Sequence, residues 1–210
     1  MLEAVRLVPG VWPLLRELRR TLAGCESVLD VGCGNLSPLR TLGVERLVGL
    51  EGFEPAVKEA ERNQTHDEVV LGDVREVGAV FGGRRFDACV ALDLIEHLPK
   101  ESGWKLLDDL EGLARKRVVI FTPNGFLPQR GKGDLQEHLS GWTAEEMRGR
   151  GYRVIGFYGY KALRGEYHRL KGRPKVFWAV VSMLSQVLVA RRRPEKAAAI
   201  YCVKEVGSSV

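Results

Sequence analysis

"VLDVGCGNLSPL", Val28 to Leu39, runs from an apolar strand into an acid, two glycines two apart and a polar step toward the next segment. A chain that turns so tightly, without bulk, straight out of a buried strand is built to hold something close to its backbone. Gly32 and Gly34 permit the sharp turn and a close approach that a Cβ would obstruct. Asp30 stands at the strand's end, placed to anchor the loop or to accept a hydrogen bond from a ligand.

Outward from this turn, short apolar runs alternate with helical patterns. "SVLDV" (27–31), "RLVGL" (46–50), "EVVLG" (68–72), "FDACVAL" (86–92) and "RVVIFT" (117–122) read as strands, rich in Val, Leu and Ile and bounded by Gly, Asp or Pro. Between them lie a short helix near Ser37–Leu42 and helices over Glu54–Asn63, Val74–Phe81 and Ser102–Ala114, with another over Val11–Leu22 before the first strand. Strand–helix alternation predicts right-handed βαβ units, hence an α/β fold with a doubly wound parallel sheet. The tail breaks the rhythm: "YRVIGFYG" (152–159) and "AAAIYCVKEV" (197–206) read as strands around a helical stretch at 174–190. No repeat or composition break marks a second domain. A single domain over 1–210 is expected, with an N-terminal helix within 1–24 and a helical insertion at 160–196.

Composition bounds the function classes. Of the 210 residues, 45% are hydrophobic and 28% charged, ordinary for a globular protein. Cys25, Cys33, Cys89 and Cys202 are scattered, with no CxxC pair and no zinc-like spacing. That pattern predicts reduced thiols in a cytoplasmic protein rather than a disulfide scaffold. The N-terminus has no long apolar run and does not read as a signal peptide. The net charge of +5 hides an asymmetry. Residues 1–147 carry 18 Lys+Arg against 24 Asp+Glu, and residues 148–210 carry 14 against 3. A basic C-terminal third points to an anionic partner (nucleic acid, lipid headgroups of a membrane surface, or an acidic small molecule) or else is a solvated face.

Ligands of an open parallel sheet bind beyond the carboxyl ends of its strands. Strand two delivers Glu51 there, 19 residues after Gly32, where a carboxylate accepts both hydroxyls of a ribose. Strand three ends in "LGDV", with Asp73 in reach of an exocyclic amine. Three carboxylates at successive strand ends, with the glycines, describe a nucleoside pocket. The dinucleotide fingerprint GxGxxG fails here, because Ser37 stands where its third glycine would be. A nucleotide-sugar or dinucleotide enzyme, and a non-catalytic nucleoside-binding module, remain the alternatives.

The "DxGCG" form resembles motif I of the class I S-adenosylmethionine-dependent methyltransferases. "LVGLEGFEPAVKEA" and "LGDVREV" resemble the second and third motifs of that family, and "FDACVALDLIEHLPK" strongly resembles the fourth as it stands in the ubiquinone-biosynthesis-like subgroup (methyltransferase type 11). "VVIFTPNG" and "HLSGWTAEEMRGRGYRVIGFYG" continue the match. One departure is Leu36, where the family usually has a third glycine. The resemblance implies a Rossmann-like seven-stranded sheet of order 3-2-1-4-5-7-6 with strand seven antiparallel. It implies cofactor contacts from Asp30, Gly32, Cys33, Gly34, Glu51, Gly52, Phe53, Asp73, Val74 and Leu92. The implied reaction is in-line displacement of the methyl group by an oxygen, nitrogen or carbon of a small-molecule acceptor, leaving S-adenosylhomocysteine.

Candidate bases are His97, in "DLIEHL", and His138, in "QEHLSGW". On one helical turn Asp93, Glu96 and His97 would share a face, and some members of the resembling subgroup hold a divalent metal there; no metal ligand is assigned. Val176 to Ala190 is uncharged over 15 residues and flanked by Lys171, Arg173 and Lys175 and by Arg191, Arg192 and Arg193. It is too short for the roughly 20 apolar residues of a membrane span. It is expected either to pack as a core insertion or to lie on an anionic bilayer surface, which would make the protein peripheral to a membrane.

Overall fold

The computed structural model describes residues 11–128, 137–163 and 172–207. The elements run α1 (Val11–Thr21), β1 (Ser27–Val31), β2 (Arg46–Glu51), α2 (Glu54–Arg62), β3 (Glu68–Leu71), α3 (Val77–Val80), β4 (Phe86–Leu92), α4 (Lys100–Leu113), β5 (Ala114–Pro123), α5 (Ala144–Gly149), β6 (Arg153–Tyr160), α6 (Lys175–Ser185) and β7 (Ala197–Glu205). Among the described residues these strands form one sheet of order β3-β2-β1-β4-β5-β7-β6. β1 pairs in parallel with β2 and β4, β2 in parallel with β3, and β6 antiparallel with β7. The expected topology is therefore present.

Two compact units make up the chain: Met1–Ala91 with Leu106–Val118 and Glu205–Val210, and Leu92–Lys105 with Val119–Lys204. In the first, Val28–Val31 and Phe86–Ala91 are buried throughout, as strands covered on both faces must be, which is why they read as unbroken apolar runs. Pro55 sits in the first turn of α2, where its missing N–H has no partner to lose.

Three local expectations need correction. The segment after β1 is a 3-10 turn, Pro38–Leu42, and not an α-helix. Ser37 caps it by accepting from the Leu39 N–H, and Gly43 closes it at φ 74°. The segment after β4 is also a 3-10 turn, Ile95–His97, preceded by Asp93 in the left-handed region at φ 49°. β5 begins at Ala114, directly from α4, three residues before the strand that the sequence predicts from Arg117.

In the second unit, β6 and β7 pair with Ile155 opposite Tyr201, and the register shifts between Phe157 and Tyr160. Tyr158 and Gly159 both take positive φ, 64° and 71°, in this bulge. A bulge leaves backbone groups outside the ladder that must find partners elsewhere.

Candidate active site

The parallel pairing of β1 to β4 aligns their carboxyl ends along one edge of the sheet. Gly32 and Gly34, just beyond β1, take φ of 70° and 59°. A Cβ on Gly34 would meet nothing within 4 Å, so the turn itself, through its left-handed backbone, is what favours glycine there. The Gly34 N–H donates to Glu51 Oε2 at 2.9 Å, and the Phe53 N–H donates to Glu51 Oε1 at 2.9 Å. Glu51 is thus held at both oxygens by the loops after β1 and β2, and each oxygen keeps lone-pair capacity for a ligand hydroxyl.

Beneath the turn, Asp30 is buried and accepts from the Ser37 hydroxyl. His66 Nε2 lies 3.2 Å from the same carboxylate, and His66 Nδ1 lies 2.8 Å from Thr65 Oγ1. Asp30 therefore anchors the loop. A Cβ on Gly49 would come within 2.7 Å of Cys33 Sγ, so the β2 glycine makes room for the buried cysteine. Burial pushes the Cys33 thiol up, with Asp30 and then Glu51 adding to the shift, which leaves a packing residue and not a nucleophile. Gly52 and Phe53 are exposed, and Val74 and Leu92 are half-buried. Asp73 caps the 3-10 turn Val74–Glu76 by accepting from the Arg75 N–H at 2.9 Å, and its carboxylate also pairs with the Arg75 guanidinium.

In the second unit the turn after β4 brings Glu96 and His97 to a strap formed by residues 137–142. The Glu96 carbonyl accepts the Leu139 and Ser140 N–H groups at 2.8 and 3.0 Å. The Ile95 carbonyl accepts the Trp142 indole N–H at 3.2 Å. Lys100 Nζ sits 3.7 Å from the centroid of a Trp142 ring and donates to the Gly141 carbonyl. Gly103 is close enough to Trp142 that a Cβ there would lie 2.3 Å from the ring. This packing lays the His138 ring edge-on to His97, with centroids 4.8 Å apart.

His97 Nδ1 lies 3.0 Å from the Glu137 carbonyl, and His138 Nδ1 lies 2.7 Å from the Leu127 carbonyl. A carbonyl only accepts, so both Nδ1 atoms carry hydrogen and both neutral rings keep Nε2 as an acceptor. Burial holds both histidines below their ordinary pKa, more than offsetting those carbonyls, and so favours the neutral form. Glu96 accepts from Thr122 Oγ1 at 2.9 Å; burial, with the Asp93 charge second, pushes its carboxyl up to about 8. Asp93 is raised too by the protein around it, although water reaches its surface.

Ligand atoms of Glu96, His97 and His138 lie within 4.8 Å of one another, a donor set able to hold a divalent cation. The expected Asp93–Glu96–His97 face is not formed: His138 is the third member in place of Asp93, because the turn is 3-10 and Asp93 precedes it. Sequence reading also missed His66 and Thr122. Neither stands at a spacing that marks it, and each is recruited by a strand neighbour.

Residues 29–125 match the family described as a methyltransferase domain. No curated protein matches the chain. Among solved structures, the chain is similar to an S-adenosylmethionine-dependent methyltransferase from Archaeoglobus fulgidus, 19% identical over 93% of this chain and 92% of that one, TM-score 0.61. It is similar to the methyltransferase domain of bacterial CtHen1 at 17% identity, over 93% and 97% of the two chains, TM-score 0.58. It is also similar to the plantazolicin methyltransferase BamL at 12% identity, over 93% and 84%, TM-score 0.57.

Proposed function

We propose that this chain is a class I S-adenosylmethionine-dependent methyltransferase, supported by the methyltransferase-domain match over residues 29–125 and the shared fold, and that it methylates a small-molecule acceptor with His97 or His138 as the base. S-adenosylmethionine is its cofactor, and when bound it supplies a sulfonium-activated methyl group and leaves as S-adenosylhomocysteine. The residues fit that group: Glu51 is fixed for ribose hydroxyls, Asp73 and Val74 stand at the end of β3 for the adenine, and the Gly32–Gly34 turn bares backbone to the ligand. Cys33, Gly52, Phe53 and Leu92 complete the proposed contacts, while Asp30 holds the turn.

With an activated donor, most of the work is orientation, worth roughly 7–11 kcal/mol in well-aligned encounters. The observation that carries the base assignment is the pair of Nε2 acceptors fixed by the Glu137 and Leu127 carbonyls. Either ring takes a proton from the acceptor's nucleophilic atom as the new bond forms. The subgroup motif "FDACVALDLIEHL" supports a small acceptor, and the four free, buried thiols fit a reducing, cytoplasmic setting. We take residues 1–210 as one functional domain.

The same atoms support a second reading. Two neutral imidazoles and a carboxylate suit a transition-metal ion, and such an ion, when bound, would polarise the acceptor oxygen as a Lewis acid. The test is a screen of acceptors with labelled cofactor, followed by His97→Ala, His138→Ala and chelation. A base requires loss of rate in one or both variants and none on chelation. Loss on chelation, with cobalt(II) absorption that either variant abolishes, identifies the metal. Unchanged rates throughout remove both.

A further inference from the structure

α6 is an amphipathic helix mounted inside out. Its polar stripe faces the protein: Ser182 Oγ donates to the Tyr158 carbonyl at 3.3 Å, Ser185 Oγ accepts the Tyr160 N–H at 3.1 Å, and Gln186, just past the helix, accepts the Gly159 N–H at 2.7 Å and donates to the Gly156 carbonyl at 2.8 Å. These partners lie in and beside the β6 bulge, so the serines and glutamine satisfy the backbone groups that the register shift removes from the ladder. The fit is close. A Cβ on Gly159 would lie 2.5 Å from the Ser182 carbonyl oxygen, and one on Gly156 would lie 2.0 Å from that of Ala190. Glycines at these two positions let the helical segment rest directly on the strand.

Anchoring the polar stripe inward turns the apolar face out. Val176, Phe177, Val180, Met183 and Leu184 are 46–78% exposed. At 100° per residue they cover one continuous arc opposite Ser182 and Ser185. The expected core-packed insertion is therefore overturned for this face. Exposed Arg173 and Lys175 bracket it at the amino end, and exposed Arg192 and Arg193 at the carboxyl end. From Tyr167 to Pro194 the sequence holds no acidic residue. Among the described residues no helix is long and apolar enough to cross a membrane.

We propose that α6 lies flat on an anionic lipid surface, its apolar face at the acyl boundary and the bracketing cations among the headgroups. Charge complementarity selects this occupant: a helix that buries five large apolar side chains between four cations matches an interface that is apolar beneath and negative above. The docking is independent of the methyl-transfer chemistry, because none of its residues belongs to the candidate active site.

The test is sedimentation of the full chain with vesicles of phosphatidylcholine mixed with phosphatidylglycerol, and with vesicles of phosphatidylcholine alone. Binding to the mixed vesicles is expected, weakening as salt rises, with little binding to the neutral ones. Phe177→Asp with Leu184→Asp should abolish it while leaving the thermal midpoint and S-adenosylhomocysteine affinity unchanged. Arg192→Gln with Arg193→Gln should weaken it by roughly thirtyfold, about fivefold per cation. No binding to mixed vesicles at low salt, or equal binding to both kinds, overturns the proposal. So does a dimer that the aspartates dissolve, or a thermal midpoint that they lower without any vesicle binding; these would assign the face to a second copy or to the chain itself.

Discussion

Gly34 meets Glu51 only 17 residues along the chain, through the ends of two adjacent parallel strands. His97 meets the Glu137 carbonyl 40 residues away, and only because a 3-10 turn and a Trp142-centred strap bring the segments together. The first region is assembled by the strand grammar itself, in which acids at successive strand ends fall on one edge. The second is assembled by packing that no spacing announces. The two regions thus have separable structural causes, and if the first holds the cofactor and the second the acceptor, as proposed, variants should split accordingly.

The largest expected effect is on the acceptor side. His97→Ala or His138→Ala should lower kcat by about 10²–10⁴ with S-adenosylhomocysteine affinity unchanged, as calorimetry beside steady-state rates would show. Equal losses in affinity would merge the two regions. Next is the strap. Trp142, fully buried, should cost about 3–5 kcal/mol of stability as Ala, read by denaturant unfolding; a loss under about 1 kcal/mol would mean that the strap is not what holds His138. On the cofactor side, Glu51→Ala removes charge-assisted hydrogen bonds worth about 1.5–3 kcal/mol, so affinity for the cofactor should fall tenfold or more. Unaltered affinity in a folded variant would displace Glu51 from the ribose. The smallest effect is Gly34→Ala. The left-handed φ of 59° should cost about 1–2 kcal/mol of stability, since a Cβ there meets nothing. A fall in cofactor affinity beyond that cost would show the ligand backing onto this glycine.

Most of the fold was legible because buried parallel strands announce themselves as apolar runs. The succession of β1 to β4 along the chain and the positions of Glu51 and Asp73 followed from the alternation, whereas the order of the strands in the sheet came from the family resemblance. The turn types were not legible: Pro38–Leu42 and Ile95–His97 both carry helix-compatible residues, yet both close as 3-10 turns. In that geometry His138, and not Asp93, groups with Glu96 and His97. The pairing of His97 with His138 was out of reach, since nothing in "QEHLSGW" encodes the Glu96 carbonyl that receives its N–H groups. For α6 the uncharged run and its flanking cations were visible but the direction of its polar stripe was not, because the bulge that demands those side chains is a property of the pairing of β6 with β7.

If the Gly32–Glu51 region binds a sulfonium nucleoside, titration calorimetry of the purified chain with S-adenosylhomocysteine and, separately, with NAD will distinguish the two ligands. One-to-one binding of S-adenosylhomocysteine, weakened tenfold or more by Glu51→Ala, with no heat from NAD, is the expected result. Binding of NAD that depends on Glu51, with S-adenosylhomocysteine silent, would contradict it.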